Sequence, residues 1–380
     1  MTLRWLEGWE GATTYMTNHA RIYDTATGSA TAQPGASDAN SSALASSDAL
    51  FVTAPLKGSA SDDWVIGMAF RSASASTVEG VGVCSVSMGN DDGEQLRFEF
   101  IDANDPLGKP GGNYYKIRVM RGVTELASSV ERFETSQSVD EHWVYFEFKM
   151  NIHQSTGSFS GQYEYCRKPS RNGGSPTALT WDAANTGLDT QEQSSTGAYI
   201  FTLNQDGGGS VVTDDIYVLD ADGSKNNDFL GRITIEGQLV QNGGNGDTIS
   251  WAFTGGAADT GDALRESKTT GDDDSRILSD TLNQVHLATV EPLAVILAAS
   301  IVGVRQDFIA RMDTVGDLDV AHMFRKTTGT PAETEAGTDL NVSSTTYVGS
   351  SAVLEDDPNT ATDWDVDDLD SYQHGVKNKG

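Results

Sequence analysis

Short runs with an apolar residue at every second position, punctuated by clusters of Gly, Asn and Asp, limit this chain more than any other feature of it. In Trp143 to Met150, Val144, Phe146, Phe148 and Met150 alternate with Tyr145, Glu147 and Lys149. Leu96 to Ile101 and Tyr115 to Met120 alternate in the same way, and Val81 to Met88 carries Ser85 and Ser87 on one side. A period of two is that of a β-strand, whose successive side chains point to opposite faces. Asp63 to Phe70, Ala198 to Leu203 and Asp215 to Asp220 read as further strands. Turn signals separate them at Gly89 to Gly93, Gly108 to Gly112, Arg171 to Gly174 and Asp206 to Gly209. Half-polar alternation implies antiparallel sheets with one wet face, packed two deep. The expected class is all-β. Helical periodicity is scarce, with one short helix expected over Thr260 to Lys268.

At 380 residues the chain exceeds what one core usually organises. Composition breaks near Gly223 to Asp228, which predicts domains at 1–228 and 229–380. Strands of the second are expected at Phe229 to Val240, Ile277 to Leu278, Val285 to Thr289, Val290 to Arg311, Asp319 to Arg325, Val342 to Ser351 and Gln373 to Lys377. The stretch from Leu293 reads as a central strand buried on both faces, and Pro292 to Val304 is too short to span a membrane. Gly28 to Asp48 reads as a long loop or arm.

A net charge of −30 repels phosphate backbones and anionic lipid, so neither nucleic acid nor membrane is an expected partner. Cys84 and Cys166 form no CxxC pair and are too few for a four-cysteine zinc site. Met1 to Glu10 has no apolar signal region, so folding in a reducing cytosol with free thiols is expected. Gly-rich stretches lack the Gly-Lys-Ser/Thr ending of a phosphate loop, and no cofactor is expected.

The Trp143 strand, its turn at Asn151 to Gly157 and the alternating strand that follows resemble the concanavalin A-like, laminin-G-like sandwich. Asp214 to Gly231 resembles the closing strand and exit of that sandwich in a family of tailed-bacteriophage virion proteins, and Trp5 to Glu10 its first strand. Asp357 to Trp364 and Gly375 to Lys377 match the C-terminus, whereas Tyr372 to Gly375 departs from the family's aromatic-before-Gly pattern. The resemblance implies a concanavalin A-like jelly-roll sandwich followed by a smaller Ig- or fibronectin-like β-sandwich. It also implies a structural, non-enzymatic part of a phage particle, as a tail-fibre, baseplate or head-decoration protein assembled in the host cytoplasm. Implied partners are other virion proteins, further copies of the chain as a homo-oligomer, and a host surface glycan. The rival reading is a lectin or polysaccharide depolymerase.

Because such folds can cleave glycosides, the candidate catalytic carboxylates are Glu94, Glu99, Asp102 and Glu147. Glu99 and Asp102, three apart, fall on opposite strand faces, and Glu147 falls on the wet side with Tyr145 and Lys149. All read as solvent-facing charge, and no catalytic residue is expected. His19, His142, His153, His286, His322 and His374 are scattered without metal-ligand spacing. Asp220, Asp222, Asn226 and Asp228 offer calcium ligands in one loop, though an Asx-turn loop accounts for them better, and no metal site is expected. Asp272 to Asp274 and Asp363 to Asp370 read as solvated charge. Trp64, Tyr114, Tyr115, Trp143 and Trp181 are candidates for a sugar-stacking platform or for core. Alternation puts Trp143 outward with Tyr145; the resemblance puts it inward.

Overall fold

The computed structural model describes residues 2–7, 25–27, 30–34, 42–46, 50–56, 60–72, 80–103, 113–135, 143–166, 175–192, 197–205, 211–220, 225–226, 228–235, 237–238, 240–241, 250–254, 276–292, 300–314, 316–328, 332–343, 345–365 and 369–380. The chain divides into two compact units, the first reaching Ile235 and the second running from Glu236 to Gly380.

In the first unit the alternating runs form strands and pair antiparallel. In chain order these are β1 (Thr2–Glu7), β2 (Thr25–Thr27), β3 (Ala30–Pro34), β4 (Ser42–Ser46), β5 (Leu50–Pro55), β6 (Asp63–Ser72), β7 (Gly82–Asn90), β8 (Gly93–Ala103) and β9 (Asn113–Arg121). They continue with β10 (Thr124–Ser128), β11 (Phe133–Thr135), β12 (Trp143–Asn151), β13 (Gly157–Cys166), β14 (Thr177–Ala178), β15 (Thr186–Leu188), β16 (Ile200–Gln205) and β17 (Val211–Asp220). Among the described residues they make a nine-stranded sheet, ordered β14-β13-β12-β6-β17-β4-β3 with β1 on β17 and β15 on β13, and an eight-stranded sheet. The latter is ordered β10-β9-β8-β7-β16-β5-β2, with β11 on β9. The all-β expectation holds.

The two sheets meet through the apolar parity of their strands. Phe148 of β12 stacks on Phe98 of β8 at 4.4 Å and 13°, and Phe70 of β6 on Phe100 of β8 at 4.3 Å and 15°. Phe133 meets Phe146 edge-on at 4.9 Å. All six rings are buried. Burying aromatics in offset and T-shaped pairs is the main stabilising term of such an interior. Strand β1 pairs along β17, so the first and last strands of the unit lie side by side. The Gly28 to Asp48 stretch, expected as a loop, instead supplies β3 and β4, which pair with each other and extend the sheet from β17. Its Ala/Ser composition hides the alternation, and main-chain pairing does not require apolar side chains.

The second unit contains β18 (Ala252–Thr254), β19 (Arg276–Leu278), β20 (Val285–Thr289), β21 (Val304–Ala310), β22 (Leu318–Lys326), β23 (Glu333–Val342), β24 (Val348–Leu354) and β25 (Tyr372–Asn378). Among the described residues these form a four-stranded sheet, β20-β25-β22-β23, and two ribbons, β18-β19 and β21-β24. Phe324, Trp364, Leu369 and Tyr372 form its core, against which Val304 and Leu354 of the β21-β24 ribbon pack. The described strands keep this unit all-β, as expected. The described residues of Phe229 to Val240, expected as strand, are irregular apart from a bridge of Val240 to Val290. The strand expected from Val290 starts at Val304; Leu293 to Ala299, and the helix expected over Thr260 to Lys268, lie outside the described residues.

Candidate functional site

Since Phe98 and Phe100 point inward, Arg97 and Glu99 point out of the eight-stranded sheet, and the register carries that parity across its neighbours. One row runs Thr202, Ser87, Arg97, Met120 over β16, β7, β8 and β9. The next runs Asn204, Ser85, Glu99, Arg118. With strands about 4.8 Å apart, the rows span roughly 15 Å. The centre of this face therefore carries the buried hydroxyls of Ser85 and Ser87 beside half-buried Thr202 and Asn204, and its β8-β9 side carries ion pairs. Arg118 donates from Nε and Nη2 to Glu99 Oε2 at 3.0 and 2.7 Å. Arg97 donates to Glu94 Oε1 at 2.6 Å, and Arg121 meets Asp189 at 2.5 Å and Glu192 at 3.5 Å. Burial lifts the Glu94 carboxyl above its ordinary range; Arg97 and a Ser87 hydrogen bond oppose this, and the charges of Glu99 and Glu192 add to it. Hydroxyls and an amide, each able to donate and accept, beside carboxylates suit a polyhydroxylated ligand.

The other expected carboxylates lie elsewhere. Asp102 has the inward parity of Phe98 and Phe100 and is buried. Glu147 does have the outward parity of the nine-stranded sheet, yet it is buried, which corrects its reading as solvent-facing charge. Gln162, Glu147, Gly67, Tyr217 and Leu6 form one row across β13, β12, β6, β17 and β1. Tyr217 crosses over Gly67 and donates its hydroxyl to Glu147 Oε1, while Gln162 Nε2 donates to Glu147 Oε2. The exit segment completes the cover. The Gly231 N–H donates to Glu147 Oε1 at 2.8 Å, the Leu230 N–H to the Tyr217 hydroxyl at 3.2 Å, and the Ile235 N–H to Asp215 Oδ1 at 2.8 Å. These side chains receive the backbone donors that a ladder would otherwise use, which is why no strand forms over the described part of this segment. Asp215 sits at φ 49° where the β6-β17 register shifts, a bulge that turns its carboxylate to this task. Burial holds the Glu147 carboxyl above its usual range against hydrogen bonds from Tyr217, Gln162 and Gly231, and it pushes the Tyr217 phenol far up, with the Glu147 charge adding to it. This cluster is a closed polar lock.

Trp143 has the parity of Tyr145, as alternation expects, and it too is buried, with the Arg71 guanidinium 5.0 Å over its ring. Trp64 and Tyr115 are core, while Trp181 packs edge-on against Phe159 at 5.1 Å; Tyr114 and Trp181 are half-buried. No platform assembles from the five aromatics. In the acidic loop from Asp220 to Asp228, Asp220 is buried in an ion pair with Arg4 and Asp228 pairs with Lys149 at 3.2 Å; Asp222 lies outside the described residues. Cys84 and Cys166 are free and buried, and burial lifts the Cys166 thiol to about 12. His153 is exposed and caps its own turn through Nδ1, whereas His19, His142 and Asp272 to Asp274 lie outside the described residues. Ser85 and Ser87 were legible in the alternation, but Thr202 and Asn204 join them only through the register between β16 and β7.

No protein-family model and no curated protein matches the sequence. Solved structures similar to the chain include a carbohydrate esterase of the Shiga toxin-encoding bacteriophage phi24B (TM-score 0.35, 12% identity, 57% of this chain and 97% of that one). Peanut lectin matches with TM-score 0.32 and 9% identity over 54% of this chain and 94% of its own. A GH131 β-glucanase catalytic domain from Podospora anserina matches with TM-score 0.31 and 10% identity over 59% and 97%. The expectation of a non-enzymatic chain is corrected: the solved structures similar to it include a carbohydrate esterase and a β-glucanase catalytic domain.

Proposed function

We propose that this chain binds carbohydrate across the outer face of the eight-stranded sheet. The observation that carries this reading is the pair of rows Thr202-Ser87-Arg97 and Asn204-Ser85-Glu99-Arg118, which sets small hydroxyl and amide groups beside fixed ion pairs. Sugar hydroxyls donate and accept at once, and a rigid sheet presents such partners without the ordering cost that a loop would incur. A second reading, cleavage of a bound polysaccharide, is favoured by Glu94 and Glu99. Burial lifts the Glu94 carboxyl above its ordinary range, as a general acid requires, and Glu99, bound to Arg118, is the second carboxylate that glycoside cleavage needs. On a glycan array the full chain is expected to bind a defined set of oligosaccharides, with at least about 10-fold weaker binding for Asn204→Leu at unchanged thermal stability. An empty array, or binding that Asn204→Leu leaves intact, would remove the proposal. Reducing-sugar release from bound glycans, abolished by Glu94→Gln, would select the cleavage reading.

The setting we infer is the particle of a tailed bacteriophage, where such a face would meet a host surface glycan. The resemblance of Trp5 to Glu10 and Asp214 to Gly231 to virion proteins supports it, and those stretches supply β1 and β17, which pair. Mass spectrometry of salt-washed particles is expected to recover the chain in stoichiometric amount; its absence at every salt level would refute the setting.

A further inference from the structure

Three of the six histidines lie in the second unit's four-stranded sheet, one on each of β20, β22 and β25. Register puts them on one face. His286 and His322 both stand opposite Val376, and His374, two residues along β25, stands opposite Ala288 and Phe324. Residues paired across an antiparallel ladder share a face, and so do residues two apart on one strand, so His374 is diagonal to both of the others. This is the face that holds Phe324 and Tyr372 of the core. His286 and His322 are buried, and His374 Nε2 is buried with no hydrogen-bond partner.

Neutral groups of the described residues pack against this face. From β21 and β24 come Gln306, Phe308 and Ser350: His322 Nε2 lies 2.9 Å from Ser350 Oγ and its Nδ1 3.3 Å from Gln306 Oε1, with the Phe308 ring 4.4 Å away. From β23 come Thr334 and Ala336, and beside His286 stand the rings of Trp251 and Phe253, at 6.4 and 6.0 Å. Phe324 meets His374 edge-on at 5.1 Å. The charges of the sheet take the opposite parity: Arg325 with Glu333, and Lys377 with Glu335. Lys326, opposite Tyr372, is the cation at the end of the histidine face, and Arg305 and Asp307 pair with each other on the opposite parity of β21.

We propose that the core of the second unit is an acid-sensitive element, in which protonation of His374 on this face opens the sheet and its ribbon while the first sandwich stays folded. A cation at His374 meets the Phe324 ring edge-on and finds no hydrogen-bond partner for its buried Nε2 among the described residues, so the folded state resists the proton and the unfolded state does not. Burial holds His374 down at about 4, against 6.5 in an unfolded chain. As pH falls below about 6.5 the unfolded form takes up the proton first, so stability is lost from there down to about 4, below which both forms are protonated. From pH 7 to pH 5, His374 alone raises the opening constant by about 20-fold. In the first unit the sign is reversed. Burial raises Glu94, Glu147 and Glu164, so acid neutralises charges that the fold already disfavours.

Hydrogen exchange by mass spectrometry on the full chain at pH 7 and pH 5, corrected for the intrinsic rate, tests this. Protection in peptides from β20, β22 and β25 is expected to fall by about 20-fold or more, with β12 and β13 unchanged, and His374→Leu is expected to remove about 20-fold of the drop. Equal pH dependence in both units, or an unaltered drop in His374→Leu, would overturn the proposal. Should that variant not fold, NMR titration of the wild-type imidazoles decides. A His374 pKa below about 5 supports the element and one at or above 6 refutes it.

Discussion

Replacing Gly67 by alanine is expected to cost the first unit about 3–5 kcal/mol, the sum of overpacking and a broken buried hydrogen bond. Gly67 lies mid-strand in β6 between Glu147 on β12 and Tyr217 on β17. The Tyr217 ring crosses the space that a side chain at 67 would fill, and an added Cβ would come within 2.6 Å of its Cδ1 and Cζ. The ring has little freedom to yield. Its hydroxyl is bound to Glu147 and receives the Leu230 N–H, so moving it leaves a buried carboxylate short of a donor and loosens the exit segment. Urea unfolding of the single variants and of Gly67→Ala combined with Tyr217→Ala gives the check. Once the ring is gone, alanine at 67 is expected to cost less than about 1 kcal/mol, because the obstruction goes with it. Equal costs in both backgrounds would mean that the ring does not occupy that space.

Phe148→Ala is expected to destabilise the same unit by about 3–5 kcal/mol, lowering its melting temperature by roughly 6–20 °C. Phe148 is fully buried at the junction of the two sheets. It stacks on Phe98 at 4.4 Å and on Phe146 at 5.8 Å, and it meets Phe100 at 6.0 Å. Truncation removes contacts from rings of both sheets at once and leaves a cavity that the rigid strands cannot close. Calorimetry of the full chain checks this, and a shift under about 3 °C would mean that the sheets pack loosely there. Phe148→Leu, which refills most of the volume, is expected to recover more than half of the loss.

How far these residues could be read in advance differs between the two sites. Phe148 and Phe98 were legible as inward-facing because alternation is a local property of a pleated strand, and seven alternating or apolar runs became the long strands β6, β7, β8, β9, β12, β16 and β17. Strands whose sequences lack that signature were missed. Glu333 to Val342 carries charged or polar groups along its length yet forms β23 by pairing with β22, and Ala30 to Pro34 forms β3 by pairing with β4.

Parity also assigned Tyr145, Glu147 and Trp143 correctly to one side of the nine-stranded sheet, but it could not tell that this side is covered. The cover comes from Leu230 to Ile235, whose Gly231 reaches Glu147 across 84 residues of sequence. Whether an outward position is wet depends on where a distant segment returns, and no local period records that. The face of the eight-stranded sheet arises in the same way. Ser85 and Ser87 declare their side within β7, whereas only the register of β16 against β7, and of β8 against β9, gathers Thr202, Asn204, Glu99 and Arg118 around them. The chain by itself determined the all-β class, the strands with strong alternation and the inside-outside parity of each, because steric and hydrophobic preferences act between residues one and two apart. Only the tertiary structure decided which strands became neighbours and which polar positions were buried or joined into a face, because hydrogen bonding between strands and burial by returning segments act over tens to hundreds of residues.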